Sequence, residues 1–94
     1  MRKIINGKVY DTDTAQIMAS DRYWDGNNME RNGRNQYLYV TPRGAFFSYR
    51  FTMWQGELDS ITPLDKGDAK SLYEKLPEQD IEAYTRRFGE AEEA

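Results

Sequence analysis

The sequence predicts an α+β fold: a small antiparallel β-sheet packed against one N-terminal and two C-terminal helices, in a single domain spanning residues 1–94. Three observations predict it. Residues 36–54 hold two runs rich in aromatic and β-branched side chains, separated by Pro42-Arg43-Gly44; such runs around a turn signal read as paired strands. Residues 65–88 place apolar side chains at helical spacing, divided by Pro77. A chain of 94 residues is enough for one domain and not two.

In chain order, Lys3 to Tyr10 reads as a tight hairpin around Asn6-Gly7, because both turn residues tolerate positive φ. Its arms are short and must pack on another element. Asp11 to Ser20 reads as a helix entry, with Asp13 as cap and Gln16 three residues on. Ala15, Met18 and Ala19 would share one helical face, with Ile17 at its edge. Residues 21–35 are dominated by Asn and Gly and show no period; loops of this length are often functional.

Residues 36–41 form the first strand of the central hairpin and residues 45–54 the second. In the second, Phe47, Tyr49, Phe51 and Met53 alternate with Phe46, Ser48, Arg50, Thr52 and Trp54, which predicts one buried and one wetter face. Ser60-Ile61-Thr62 reads as a short third strand. A helix then opens at the Asp65 cap, carries Ala69, Leu72, Tyr73 and Leu76, and stops at Pro77. The last helix takes its stripe from Ile81, Tyr84 and Phe88 and ends at Gly89.

Composition narrows the chemistry. The chain has no Cys and no His, which removes thiolate and imidazole catalysis and an ordinary zinc site. No spacing of carboxylates suggests a catalytic pair, and Asp11-x-Asp13 lacks the further ligands and the glycine of a calcium loop. The expectation is therefore a non-enzyme with no catalytic residues, no metal and no cofactor. A domain this small without disulfides points to a reducing compartment, the cytoplasm. No apolar run suits a signal peptide or a membrane span.

Charge is uneven. Residues 1–54 carry 8 Lys/Arg and 5 Asp/Glu, and residues 55–94 carry 5 and 11. Aromatic anchors beside acids suit a basic protein partner, and Trp is enriched among the residues that dominate interfaces. The predicted partner contacts are Tyr23, Trp24, Asp25 and Glu30 in the long loop, with Trp54, Glu57 and Asp59 after the main strand. A second reading is a nucleic-acid-binding module. It would use Arg31, Arg34, Arg43 and Arg50 with Tyr37, Tyr39, Phe47, Tyr49 and Phe51 as a stacking platform.

The ordered motifs also carry a resemblance. Lys3-Ile4-Ile5-Asn6-Gly7-Lys8-Val9-Tyr10-Asp11-Thr12-Asp13-Thr14-Ala15 resembles the opening of a group of small proteins encoded on phages, plasmids and other mobile elements. Leu38 to Phe47 is similar to that group's Leu-Tyr-x-Thr-x-x-Gly-x-Phe/Trp-Phe hairpin, and Ile61-Thr62-Pro63-Leu64 to its closing helix entry. Some small proteins of this mobile-element kind are anti-CRISPR inhibitors. The resemblance thus implies an inhibitor that binds a subunit of a CRISPR effector complex stoichiometrically and blocks nucleic-acid access or assembly. The long Asn/Gly/Arg loop departs from the group's pattern.

Overall fold

The computed structural model describes residues 1–21, 34–52, 56 and 58–93. Its elements are strands β1 (Arg2–Ile5), β2 (Lys8–Asp11), β3 (Gln16–Ser20), β4 (Arg34–Val40), β5 (Phe46–Thr52) and β6 (Ser60–Leu64), helix α1 (Lys66–Lys75), strand β7 (Glu78–Gln79) and helix α2 (Ile81–Phe88). β1 and β2 form a separate antiparallel hairpin, and the other five strands form one antiparallel sheet in the order β6-β5-β4-β3-β7. The α+β class holds, and two helices occur among the described residues rather than three.

The first hairpin follows its turn chemistry. Asn6 and Gly7 both take positive φ, 53° and 75°, and the register pairs Ile5 with Lys8 and Ile4 with Val9. The central hairpin runs from Arg34↔Thr52 to Val40↔Phe46. Its turn is closed by the Gly44 amide donating to the Thr41 carbonyl at 2.9 Å and the Ala45 amide donating to Thr41 Oγ1 at 3.0 Å. Gly44 sits at φ 87°, where a side chain would be strained.

The expected helix at residues 11–20 is a turn followed by a strand. Asp13 does not cap a helix; its own amide donates to Asp11 Oδ1 at 2.9 Å, and the amides of Thr14 and Ala15 turn back to the Asp11 carbonyl. β3 then pairs with β4, with a register shift between Ile17 and Ala19 that leaves Met18 as the extra residue. Such a bulge breaks the period-2 alternation of a strand. It buries Met18 and Ala19 side by side while Ile17 stays exposed, a pattern that imitates a helical face. The neighbouring strand decides the outcome, because β4 needs a partner on that edge for its backbone groups.

The sheet is packed on both faces, so the expectation of one wet face also gives way. One face holds Met18, Leu38, Val40 and Phe46 against Ala69, Tyr73 and Leu76 of the α1 segment and Ala83 of α2. The other holds Tyr39, Phe47 and Ile61 against Tyr10 of the hairpin, with Ile5 and Tyr49 beside them. Alternation along β5 sends Phe46 to the first face and Phe47 to the second.

Helix α1 starts at its expected cap, the Asp65 carboxylate accepting from the Asp68 amide at 2.7 Å; α2 is capped by Asp80, whose carboxylate accepts from the Ala83 amide at 3.0 Å. Gly89 ends α2 at φ 88°. Two details differ from expectation. Glu78 and Gln79 form β7 on the outer side of β3, pairing with Ser20 and Ala19, instead of leading directly into a helix. Ile81 is 71 % exposed, so the α2 stripe is Ala83, Tyr84 and Phe88, with the Phe88 ring stacked on Phe46 and the Tyr84 ring tilted against Tyr73.

Candidate functional site

Antiparallel order brings the β3–β4 and β5–β6 connections to the same end of the sheet. Arg34 opposes Thr52, Asn35 opposes Phe51, and Arg50 opposes Ser60. These connections are the two segments that hold the predicted partner contacts. Tyr23, Trp24, Asp25, Glu30, Trp54 and Glu57 lie outside the described residues, as does Arg31. Asp59 is described, and it stands at the base of the second connection.

Each connection is rooted by an aspartate that accepts a backbone bond from the neighbouring strand. At the first, the Gln36 amide donates to Asp21 Oδ1 at 2.8 Å, and the Asp21 amide returns a bond to the Gln36 carbonyl at 3.1 Å. The buried Asn35 side chain adds a longer contact from Nδ2 to the same carboxylate, 3.4 Å. At the second, Thr52 N–H donates to Asp59 Oδ1 at 3.0 Å and the Tyr49 hydroxyl to Oδ2 at 2.7 Å. Both Asp59 oxygens are thus engaged within the chain, which makes the residue a brace for the end of β5. Sequence reading missed this brace, because Tyr49 and Asp59 are ten positions apart and no local pattern links them.

The brace carries a test. Asp59→Ala leaves the Thr52 amide and the Tyr49 hydroxyl without their acceptor, and stability should fall by about 1–3 kcal/mol. Asp59→Asn keeps an acceptor oxygen and should recover part of that loss in urea unfolding.

Tyr49 sits in a cluster of three tyrosines. Its ring stacks on Tyr37 at 5.9 Å and meets Tyr39 edge-on at 6.4 Å. Burial raises its pKa, and the hydrogen bond to Asp59 and that group's charge raise it further. Tyr39 is raised by burial, then by Tyr37 and Asp13, and Tyr73 by burial, then by Asp80 and Tyr84. A phenol whose pKa rises on folding stabilises the fold fully below its unfolded value of 10.0. That contribution is lost as pH climbs through the higher folded value. Stability should therefore decline from about pH 10 upward. Tyrosinate absorbance should show Tyr49 ionising earlier in Asp59→Asn than in the parent.

The described residues of the nucleic-acid reading come together in part: Tyr37, Tyr39, Phe47 and Tyr49 share one face of the sheet, and Arg50 lies on the other. Phe47 is fully buried and Tyr39 is 8 % exposed, so neither offers a ring face to a base. Arg43 lies in the β4–β5 turn, at the opposite end of the sheet from the two connections. Arg50 is exposed and alternates onto the helix-packed face, away from the tyrosine cluster.

The described residues contain no group of acidic side chains placed to hold a metal ion, and no described helix is long and apolar enough to cross a membrane. No protein-family model matches the chain, and no match was found among curated proteins or solved structures.

Proposed function

We propose that the protein is a stoichiometric, non-catalytic inhibitor of mobile-element origin that acts in the bacterial cytoplasm by binding a subunit of a CRISPR effector complex and blocking nucleic-acid access or assembly. One observation carries the reading. The two segments richest in Trp-acid combinations, distant in sequence, spring from the same end of the sheet, and Asp21 and Asp59 fix their roots. Residues from both can therefore meet one partner surface, with Trp24 and Trp54 as anchors and Asp25, Glu30, Glu57 and Asp59 toward a basic partner. Asp59 serves chiefly as the brace behind the others. The resemblance of the three motif blocks to mobile-element proteins supplies the class of partner.

A pull-down of tagged protein from lysate of a CRISPR-bearing bacterial host, with and without nuclease, tests the reading. The expected result is recovery of an effector subunit that survives nuclease. Recovery of nucleic acid alone, lost after nuclease, would overturn it in favour of direct nucleic-acid binding.

A further inference from the structure

A cleft of about 530 Å³ opens between the N-terminal hairpin and the turn that joins β4 to β5. Lys8, Val9 and Tyr10 line it from the hairpin, and Thr41, Arg43 and Ala45 from the turn. It lies at the opposite end of the sheet from the two connections, so it is separate from the proposed inhibitory surface. Its volume falls within the ~300–1,000 Å³ of small-molecule sites.

The charge in this cleft is uncompensated. None of its described lining residues is acidic. Lys8 and Arg43 are both exposed, and neither side chain makes an ion pair or hydrogen bond with another described residue. Arg2 and Lys3 add positive charge on the same hairpin. The carboxylates nearby in sequence are Asp11 and Asp13, and an Asp11 oxygen already accepts the Asp13 amide. Two like charges beside one cleft repel each other, and an anion seated between them relieves that repulsion.

The donor set indicates which anion. Arg43 offers a planar fork, Lys8 a compact point charge. Thr41 Oγ1 accepts from the Ala45 amide, which leaves its own O–H free to donate. Three donors of different shape suit a tetrahedral oxyanion with several acceptor oxygens. A carboxylate has only two oxygens, and a guanidinium fork engages both. Beside the cations, Val9 and Ala45 provide an apolar wall. Tyr10 is held in place by its edge-on contact with Phe47 at 5.5 Å, so this side of the cleft is built on the core.

We propose that this cleft binds the phosphate group of a nucleotide, free or within a nucleic-acid chain, with Lys8, Arg43 and Thr41 on the phosphate and Val9 and Ala45 against the attached sugar or base. Lys8 carries no mark in the sequence beyond its place after Asn6-Gly7. The fold gives it a role by laying the hairpin next to the β4–β5 turn.

The test is an amide chemical-shift titration of the full-length protein with inorganic phosphate, AMP, a short oligothymidylate and a glutamate-rich peptide. AMP and the oligonucleotide should shift the amides of Gly7 to Tyr10 and of Thr41 to Ala45, and AMP should bind more tightly than phosphate alone. Lys8→Gln combined with Arg43→Gln replaces exposed side chains, and should weaken AMP binding at least about tenfold while the unfolding midpoint stays put. An oligonucleotide that binds about tenfold tighter than AMP, with a steep salt dependence, assigns the phosphate to a nucleic-acid chain; equal affinities assign it to a free nucleotide. No shift by AMP or oligonucleotide up to about 10 mM, far weaker than ordinary ligand affinities, overturns the proposal. So does AMP binding no tighter than phosphate, binding unchanged in the double variant, or tighter binding of the glutamate-rich peptide.

Discussion

Phe47→Ala is expected to lower the unfolding free energy by about 3–5 kcal/mol, the usual cost of emptying a buried aromatic site. For a domain whose total stability is of the order of 5–15 kcal/mol, that is a large share. Phe47 is fully buried, stacks on Tyr39 with centroids 5.1 Å apart and 5° between planes, and meets the edge of Tyr10. It also stands mid-sheet, between Tyr39 of β4 and Pro63 of β6. Its neighbours are held by separate backbone ladders, so they can close only part of the void.

The loss should have a particular distribution. The β1–β2 hairpin shares no ladder with the five-stranded sheet; side chains dock it, chiefly Tyr10 and Ile5 on the Phe47 cluster. Amide exchange in Phe47→Ala should therefore accelerate more at Ile4 to Tyr10 than at Leu38 to Val40. Leu38→Ala, which empties the opposite face, should cost about 2–5 kcal/mol and leave hairpin protection nearer that of the sheet. A loss below about 1.5 kcal/mol for Phe47→Ala, in the range of conservative core swaps, would show that the cluster is not the hairpin's anchor.

The largest effect on function is expected from Trp24→Ala combined with Asp25→Lys. If these side chains anchor the partner, as proposed, the pair of changes should weaken binding by more than about 2 kcal/mol, roughly thirtyfold. On the proposed reading, one change removes an aromatic anchor and the other reverses a charge that complements a basic partner. The measurement is the affinity for the recovered effector subunit, with a variant whose urea transition matches the parent. Unchanged affinity would move the contact surface away from the first connection. The charge reversal should act mainly on the association rate and on its salt dependence.

Much of this fold was legible from local chemistry. Asn6-Gly7 marked the first hairpin, Pro42 to Gly44 the second, and Asp65 and Gly89 two of the helix ends. Each acts through backbone groups within a few residues, which a linear reading can see. What was not legible depends on contacts across the fold. Met18 is a bulge residue only because β4 lies beside it. Glu78 and Gln79 are strand-like only because β3 offers an edge to cover. Ile81 counted as apolar stripe with Tyr84 and Phe88, yet it stays exposed and Ala83 joins those two against the core. At the candidate site, composition and spacing picked out the two connections, whereas antiparallel strand order places their roots at one end. Asp59 was legible as an acid near Trp54 and not as the acceptor for Tyr49 and Thr52.

The two aspartate clamps bear on how such a chain changes over generations. Asp21 is bonded to Asn35 and Gln36, and Asp59 to Tyr49 and Thr52. None of these partners lies within residues 22–33 or 53–57. Strand register is thereby secured by residues outside the stretches that carry the proposed contacts. By loop-closure entropy, each doubling of a connection's length costs only about 0.6 kcal/mol, so insertions and replacements there need not disturb the sheet. A lineage that must keep pace with a changing target can then rewrite its contact segments while inheriting the same frame, and the same positions offer grafting sites for a display scaffold.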